Sequence, residues 1–292
     1  MDQVFRLTDG RQLSYSVSAA TDGIPLIFLH GTPGNKAVLP AFEAKCKSRG
    51  VKLITTDRAG YGGSTRQKGR RVADVVDDIK QLTQHLSISK CLVAGWSGGG
   101  PHALACAARL PGCLAALLVA SVGPSDADDL DFLSGQGEGN LQEFHAALQG
   151  EAKLREFCEA ERPDMMGDAQ SIMTAMASNL PEVDKAAILR DPDFGNYLSQ
   201  SFREGLQVNC DGWIDDDLAF LQPWGFDVGE NKTHVLLYQG RDDKMVPFAH
   251  GEWIAQHLPA GTAQVRLLEG QGHISIFLDH VDEMIDGLLK HC

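Results

Sequence analysis

The sequence is poor in basic residues. Lys and Arg number 26 against 39 Asp and Glu, a formal net charge of -13. That imbalance argues against nucleic acid or an anionic membrane surface as a partner, since both are held by clustered positive charge. No apolar stretch is long enough to span a bilayer. Met1-Asp2-Gln3-Val4-Phe5-Arg6 lacks a basic start followed by an apolar run, so no secretory signal is expected. The seven cysteines (46, 91, 106, 113, 158, 210 and 292) contain no Cys-x-x-Cys pair. With Cys91 and Cys106 in expected core elements, they read as reduced structural thiols, and the expected location is cytoplasmic. No Cys/His/Asp/Glu group has metal-ligand spacing, so neither a metal nor a cofactor is expected. Internal repeats and low-complexity segments are also missing.

What is present is an ordinary globular composition, 292 residues with 43% hydrophobic and 22% charged, enough for one large α/β domain with an insertion. Val4–Leu7, the turn signal Asp9-Gly10 and the alternation Leu13–Val17 predict a hairpin. Ile24–Leu29, Val51–Thr56, Lys90–Ala94 and Leu114–Ala120 are apolar runs of the kind covered central strands need. Helical periodicity at Val72, Val75, Val76, Ile79, Leu82 and Leu86 falls between two of them. Such alternation implies a mostly parallel sheet covered on both faces.

After Gly123-Pro124 the pattern changes. For roughly 100 residues helical stripes replace strands, a length too great for a plain loop in a compact domain. Leu141, Phe144 and Leu148 form one stripe, and Phe194, Tyr197, Leu198, Phe202 and Leu206 another. Alternation resumes at Thr233–Tyr238, with a helix from Pro247, a strand at Gln264–Leu268 and a last helix carrying Val281, Met284, Ile285, Leu288 and Leu289. The expected division is a core of residues 1–124 and 232–292 with a helical cap inserted at 125–231.

Between the strand ending at Ala94 and the helix from Pro101 stands Gly95-Trp96-Ser97-Gly98-Gly99. A Gly-x-Ser-x-Gly joining a strand to a helix makes a tight turn that lifts the serine hydroxyl off the sheet. The helix start behind it favours developing negative charge. A phosphate loop would need Gly-x-Gly-x-x-Gly or Gly-Lys-Ser/Thr in frame, and neither is present. A serine needs a base to take its proton. Of ten histidines, His273 sits in a Gly-rich loop after the last strand, whereas His85, His145, His257, His280 and His291 fall on helices or at the terminus. His102 on the elbow helix reads as structural, and His30 as a brace for its own loop.

Four stretches, in order, are His30-Gly31-Thr32-Pro33-Gly34, Gly95-Trp96-Ser97-Gly98-Gly99, Gly240-Arg241-Asp242-Asp243 with Val246-Pro247, and Gly270-Gln271-Gly272-His273. On these the chain resembles the α/β-hydrolase superfamily over nearly its whole length. The resemblance implies an α/β-hydrolase fold, a mostly parallel sheet covered by helices on both faces with an inserted helical cap. It implies a triad of Ser97, His273 and Asp243, the family's frame selecting Asp243 over its neighbour Asp242. Acids at Ser125-Asp126-Ala127-Asp128-Asp129 are the alternative position in some relatives. The implied oxyanion hole is the backbone N–H of Thr32 and of Gly98, with a Thr32 hydroxyl contact as an open option.

The expected activity is cleavage of a small, largely apolar ester through an acyl-enzyme. Met173, Met176 and Trp96 are the expected pocket residues, although the methionines and Trp96, Trp213, Trp224 and Phe226 fit plain packing as well. A small-molecule substrate is the only partner implied, and the oligomeric state is left open. Two alternatives remain. One is a non-hydrolytic relative that binds a ligand or performs a cyclase or lyase reaction. The other is an aminopeptidase specific for N-terminal proline, which has a similar His-Gly-x-Pro-Gly loop and would offer cap carboxylates such as Glu159, Glu161 and Asp164 to a substrate amine.

Overall fold

The computed structural model describes residues 3–292. Met1 and Asp2, the first residues of the N-terminal stretch, lie outside the described residues. The hairpin forms as β1 (Gln3–Arg6) and β2 (Gln12–Ala19), antiparallel to one another. β3 (Ile24–Leu29) follows, then α1 (Pro40–Ser48), β4 (Val51–Thr56), α2 (Val75–His85), β5 (Cys91–Trp96), α3 (Gly99–Arg109) and β6 (Cys113–Val119). α1 carries no long apolar stripe. It buries only Phe42 and Cys46, which is why periodicity does not reveal it.

The sheet order is β1-β2-β4-β3-β5-β6, continuing to β7 (His234–Gly240) and β8 (Ala263–Leu268). β2 pairs antiparallel with β1 and β4, and every pairing from β4 onward is parallel. All six residues of β5 are buried, as a central strand with helices on both faces requires. α10 (Phe248–His257) and α11 (Ser275–Leu289) complete the alternation.

Between β6 and β7 the chain is helical: α4 (Glu138–Leu148), α5 (Glu151–Met165), α6 (Ala169–Ala175), α7 (Glu182–Arg190), α8 (Pro192–Gly205) and α9 (Asp211–Phe220). Among the described residues no helix is long and apolar enough to cross a membrane.

This order places the chemistry. From β3 the chain winds outward to β4, and from β5 it winds the other way to β6. The crevice at the carboxyl ends of β3 and β5 is therefore a topological switch point, where open α/β sheets bind their ligands. The loop His30–Gly34 leaves β3 there, Ser97 leaves β5, and the loops after β7 and β8 bring Asp243 and His273 to the same edge.

Candidate active site

Ser97 follows directly on β5 with φ 58°, a left-handed conformation that non-glycine residues seldom adopt. The turn holds because its neighbours are minimal. A Cβ on Gly95 would overlap the Gly99 carbonyl and reach 2.9 Å from the Ala103 side chain. The Ser97 N–H is tied to the Val119 carbonyl at 2.9 Å, which leaves the hydroxyl pointing off the sheet.

His273 and Asp243 form a buried pair, Nδ1 to Oδ2 at 2.8 Å. A carboxylate only accepts, so His273 Nδ1 carries the proton and Nε2 is left as acceptor. Asp243 is fixed on its other side: Oδ1 accepts from the N–H of Met245 at 2.8 Å and of Val246 at 2.9 Å. Gln239 also donates to Oδ2, at 3.3 Å. Burial alone would pull the His273 pKa down. The charge and hydrogen bond of Asp243, with Asp184 behind, outweigh it, and the net direction is above the ordinary histidine value.

Asp242 is exposed, as are Asp126, Asp128 and Asp129. Asp129 is occupied elsewhere, accepting from Trp253 at 2.5 Å and lying 3.4 Å from His257. Ser97 and His273 open onto one chamber, although no hydrogen bond joins them among the described residues; such contacts tighten when substrate is bound.

The loop after β3 is fastened from beneath. His30 Nδ1 donates to the Gly31 carbonyl at 2.7 Å, and its Nε2 accepts from the Arg58 N–H at 3.1 Å. Burial, then the neighbouring Arg58 charge, holds His30 well below its usual pKa, so it is a neutral brace. Arg58 donates to the carbonyls of His30 and Gly31 and to Thr32 Oγ1. Thr32 in turn donates to Asp216 at 2.7 Å, so its hydroxyl is committed to the protein and the open option of a substrate contact closes. Neither the Thr32 nor the Gly98 N–H is taken up by a hydrogen bond among the described residues, and Thr32 Oγ1 lies against Gly98.

Asp216, on α9, is the residue this region turns on. It is fully buried and accepts from Arg58, Arg70, Tyr61, His102 and Thr32. Burial would raise its pKa, but the two guanidinium groups hold it well below the usual carboxylate range. His102, read as structural, is one of its partners and also meets the Val72 carbonyl at 3.1 Å.

Above Ser97 lies a cavity of about 120 Å³ reached by Thr32, Gly98 and Val246 from below and by Phe157, Met165 and Trp213 from the helices between β6 and β7. The apolar pocket expected from methionine and aromatic content is only half of it. Glu143, Glu161 and Asp217 line the same space. Both oxygens of Asp217 are buried without a hydrogen-bond donor. Burial, then the neighbouring Glu143 charge, pushes its pKa well up, and burial raises Glu143 likewise. Glu143 is oriented by the Trp213 N–H at 2.5 Å, so Trp213 does more than pack.

A second, smaller chamber beside His273 is apolar, lined by Trp96, Met176, Tyr197, Leu198 and Ile274 among others. Trp96 and Met176 are thus at the site, although Trp96 also donates to the His273 carbonyl at 3.1 Å and stacks on Phe277. Met173 is a correction: it packs against the core and lines neither chamber. It precedes Ala175, which does line the cavity, by two residues. On a helix turning about 100° per residue it faces the other way. Of the three acids considered on α5, Glu161 faces the cavity, while Glu159 and Asp164 are exposed. Periodicity did not find Glu143, Asp216 or Asp217, because acids on amphipathic helices look like solvated faces. The one available signal was three aspartates inside the otherwise apolar Trp213-Ile214-Asp215-Asp216-Asp217-Leu218-Ala219-Phe220.

A family model described as the alpha/beta hydrolase fold matches residues 24–280. An AB hydrolase superfamily protein of Bacillus subtilis, YisY, is 25% identical over 84% of this chain and 82% of its own length. A proline iminopeptidase of Neisseria meningitidis is 24% identical over 98% of this chain and 95% of that protein. Among solved structures, a thermophilic esterase from Thermogutta terrifontis aligns over 100% of both chains with a TM-score of 0.70 and 19% identity, a likeness of fold.

Proposed function

Since the chain belongs to the α/β hydrolase fold family, we propose that it is a serine hydrolase cleaving a small ester or related acyl compound. The observation that carries this reading is one chamber holding a left-handed Ser97 and a His273 whose far nitrogen is locked onto Asp243. Ser97 Oγ attacks the acyl carbon while His273 Nε2 takes its proton. Asp243 holds the imidazolium, and the N–H groups of Thr32 and Gly98 receive the charge that builds on the carbonyl oxygen. Collapse of the adduct returns the proton to the leaving group, and water then releases the acyl group through the same base. No metal or cofactor enters this sequence.

The three carboxyl groups favour a second reading of the substrate. An uncharged acyl chain would leave the Glu143–Asp217 pair with no donor to Asp217 beyond a proton the two carboxyls share. A protonated amine on the acyl half would supply the missing donors and displace a proton from the Glu143–Asp217 pair. The relative named proline iminopeptidase carries a name consistent with such a substrate.

One experiment tests both. Purified protein is assayed on p-nitrophenyl acetate and on L-proline p-nitroanilide, and is labelled with a fluorophosphonate. Ser97→Ala should abolish labelling and cut turnover up to about a million-fold. Asp217→Asn should leave the acetate rate nearly unchanged and lower kcat/KM for the anilide by about ten- to a hundredfold. Equal labelling of Ser97→Ala defeats the nucleophile assignment. An anilide rate untouched by Asp217→Asn defeats the amine reading. If no ester, lactone, thioester or amide is turned over while Ser97→Ala still performs the cellular role, the hydrolase reading itself fails.

A further inference from the structure

α11 begins at Ser275, two residues after His273, so the backbone of the proposed base leads directly into the first turn of a helix. The opening N–H groups of a helix have no partner within it. Here the N–H of Ser275, the first helical residue, and those of Ile274 and His273 just before it are satisfied by a side chain from about 90 residues earlier in sequence, a separation of 89 to 91 positions. Asp184, in the first turn of α7, is fully buried. Its Oδ2 accepts from the His273 N–H at 2.8 Å, and its Oδ1 accepts from Ile274 at 3.0 Å and Ser275 at 2.8 Å.

The loop is shaped to receive that carboxylate. A Cβ on Gly272 would stand 2.5 Å from both Asp184 oxygens, so glycine is required there for a close approach rather than for a turn. The Gly272 N–H goes instead to Ser275 Oγ at 2.7 Å. All the backbone donors from Gly272 to Ser275 are therefore assigned, three of them to one side chain of α7.

We propose that Asp184 is a positioning residue for the reaction: from α7 it fixes the His273 backbone so that the imidazole stays bonded to Asp243 and within reach of Ser97. The proposal rests on the reading of His273 as the base. Asp184 and Asp243 are the two charged groups that act on the His273 ring, from α7 and from the loop after β7. They act differently. Asp243 holds the ring, and Asp184 holds the main chain from which the ring hangs. A displacement of about 1 Å at a reacting group costs on the order of a hundredfold in rate, so a slack loop should show in turnover without changing how substrate is bound.

The test compares wild type with Asp184→Asn, Asp184→Ala and Gly272→Ala on p-nitrophenyl acetate, with thermal unfolding recorded for each. Asp184→Asn keeps the shape and one acceptor but loses the charge. It should lower kcat roughly ten- to a hundredfold with KM held within about twofold. It should also move the acid limb of the pH–rate profile to lower pH, because a negative charge facing His273 is gone. Gly272→Ala keeps the carboxylate charge nearby but forces it off the loop, so it should reproduce the kcat loss with a smaller pH shift. Asp184→Ala should be the worst of the three.

The defect should persist well below each variant's melting temperature. If kcat recovers wherever the variant is fully folded, Asp184 is only a structural cap and the proposal is overturned. It is overturned equally if folded Asp184→Asn keeps wild-type kcat and an unmoved acid limb. His273→Ala serves as the separate control. If it stays active, the base assignment has failed. If it is inactive while Asp184→Asn is normal, only the positioning role has failed.

Discussion

As the proposed base His273 must be neutral, and its pKa is raised chiefly through Asp243 against the pull of burial. A raised pKa means the proton is retained to higher pH. Turnover of p-nitrophenyl acetate should therefore climb with pH through an apparent pKa above the ordinary histidine value of about 6.5. A flat profile between about pH 5 and 8, with chemistry limiting, would remove His273 from the role. Asp243→Asn should be severe for a geometric reason. With its oxygen kept on the Met245 and Val246 N–H groups, the new NH2 faces His273 Nδ1. Nδ1 must then accept, the proton moves to Nε2, and the ring is in the wrong tautomer, a loss of about ten-thousand-fold. Asp242→Asn, at an exposed position, should stay within about twofold. Reversal of the two effects would show the acid to be Asp242.

At the scale of one element, α9 shows why the residues of the candidate site could be picked out from sequence and their supports could not. Gly95, Ser97 and His273 announce themselves because backbone geometry dictates small neighbours in consecutive positions. Asp215, Asp216 and Asp217 obey no such local rule. All three are buried, and the helix rotation sends them to three destinations. Asp215 pairs with Arg66 at 2.8 Å, Asp216 with Arg58 and Arg70, and Asp217 faces the cavity. Their partners lie some 70 to 160 residues away in sequence, beyond anything periodicity can register. Removing Asp216 leaves two guanidinium groups buried together. Asp216→Ala should cost about 3–5 kcal/mol and lower the melting temperature by on the order of 10 °C, read by calorimetry. An unchanged melting temperature would show that water or a rearranged acid replaces it.

Across the whole molecule, the strands were readable because a covered parallel sheet demands unbroken apolar runs, as at Ile24–Leu29 and at Lys90–Ala94, where the observed strand runs on to Trp96. The strand order was not readable, since nothing within β3 or β5 says that they are neighbours. The two long-range carboxylates matter at this scale too. Asp216 fastens the loop after β3, and Asp184 fastens the loop before α11. Both come from the segment between β6 and β7, while the groups they hold, Arg58, Arg70 and the backbone of His273–Ser275 made accessible by Gly272, come from the rest of the chain. For protein engineering this makes the segment a poor cassette. A graft from a relative that lacks these acids would strand two arginines and leave the His273 loop untied. Transplants that carry positions 58, 70, 184, 216 and 272 as one inherited block would be the ones to retain turnover.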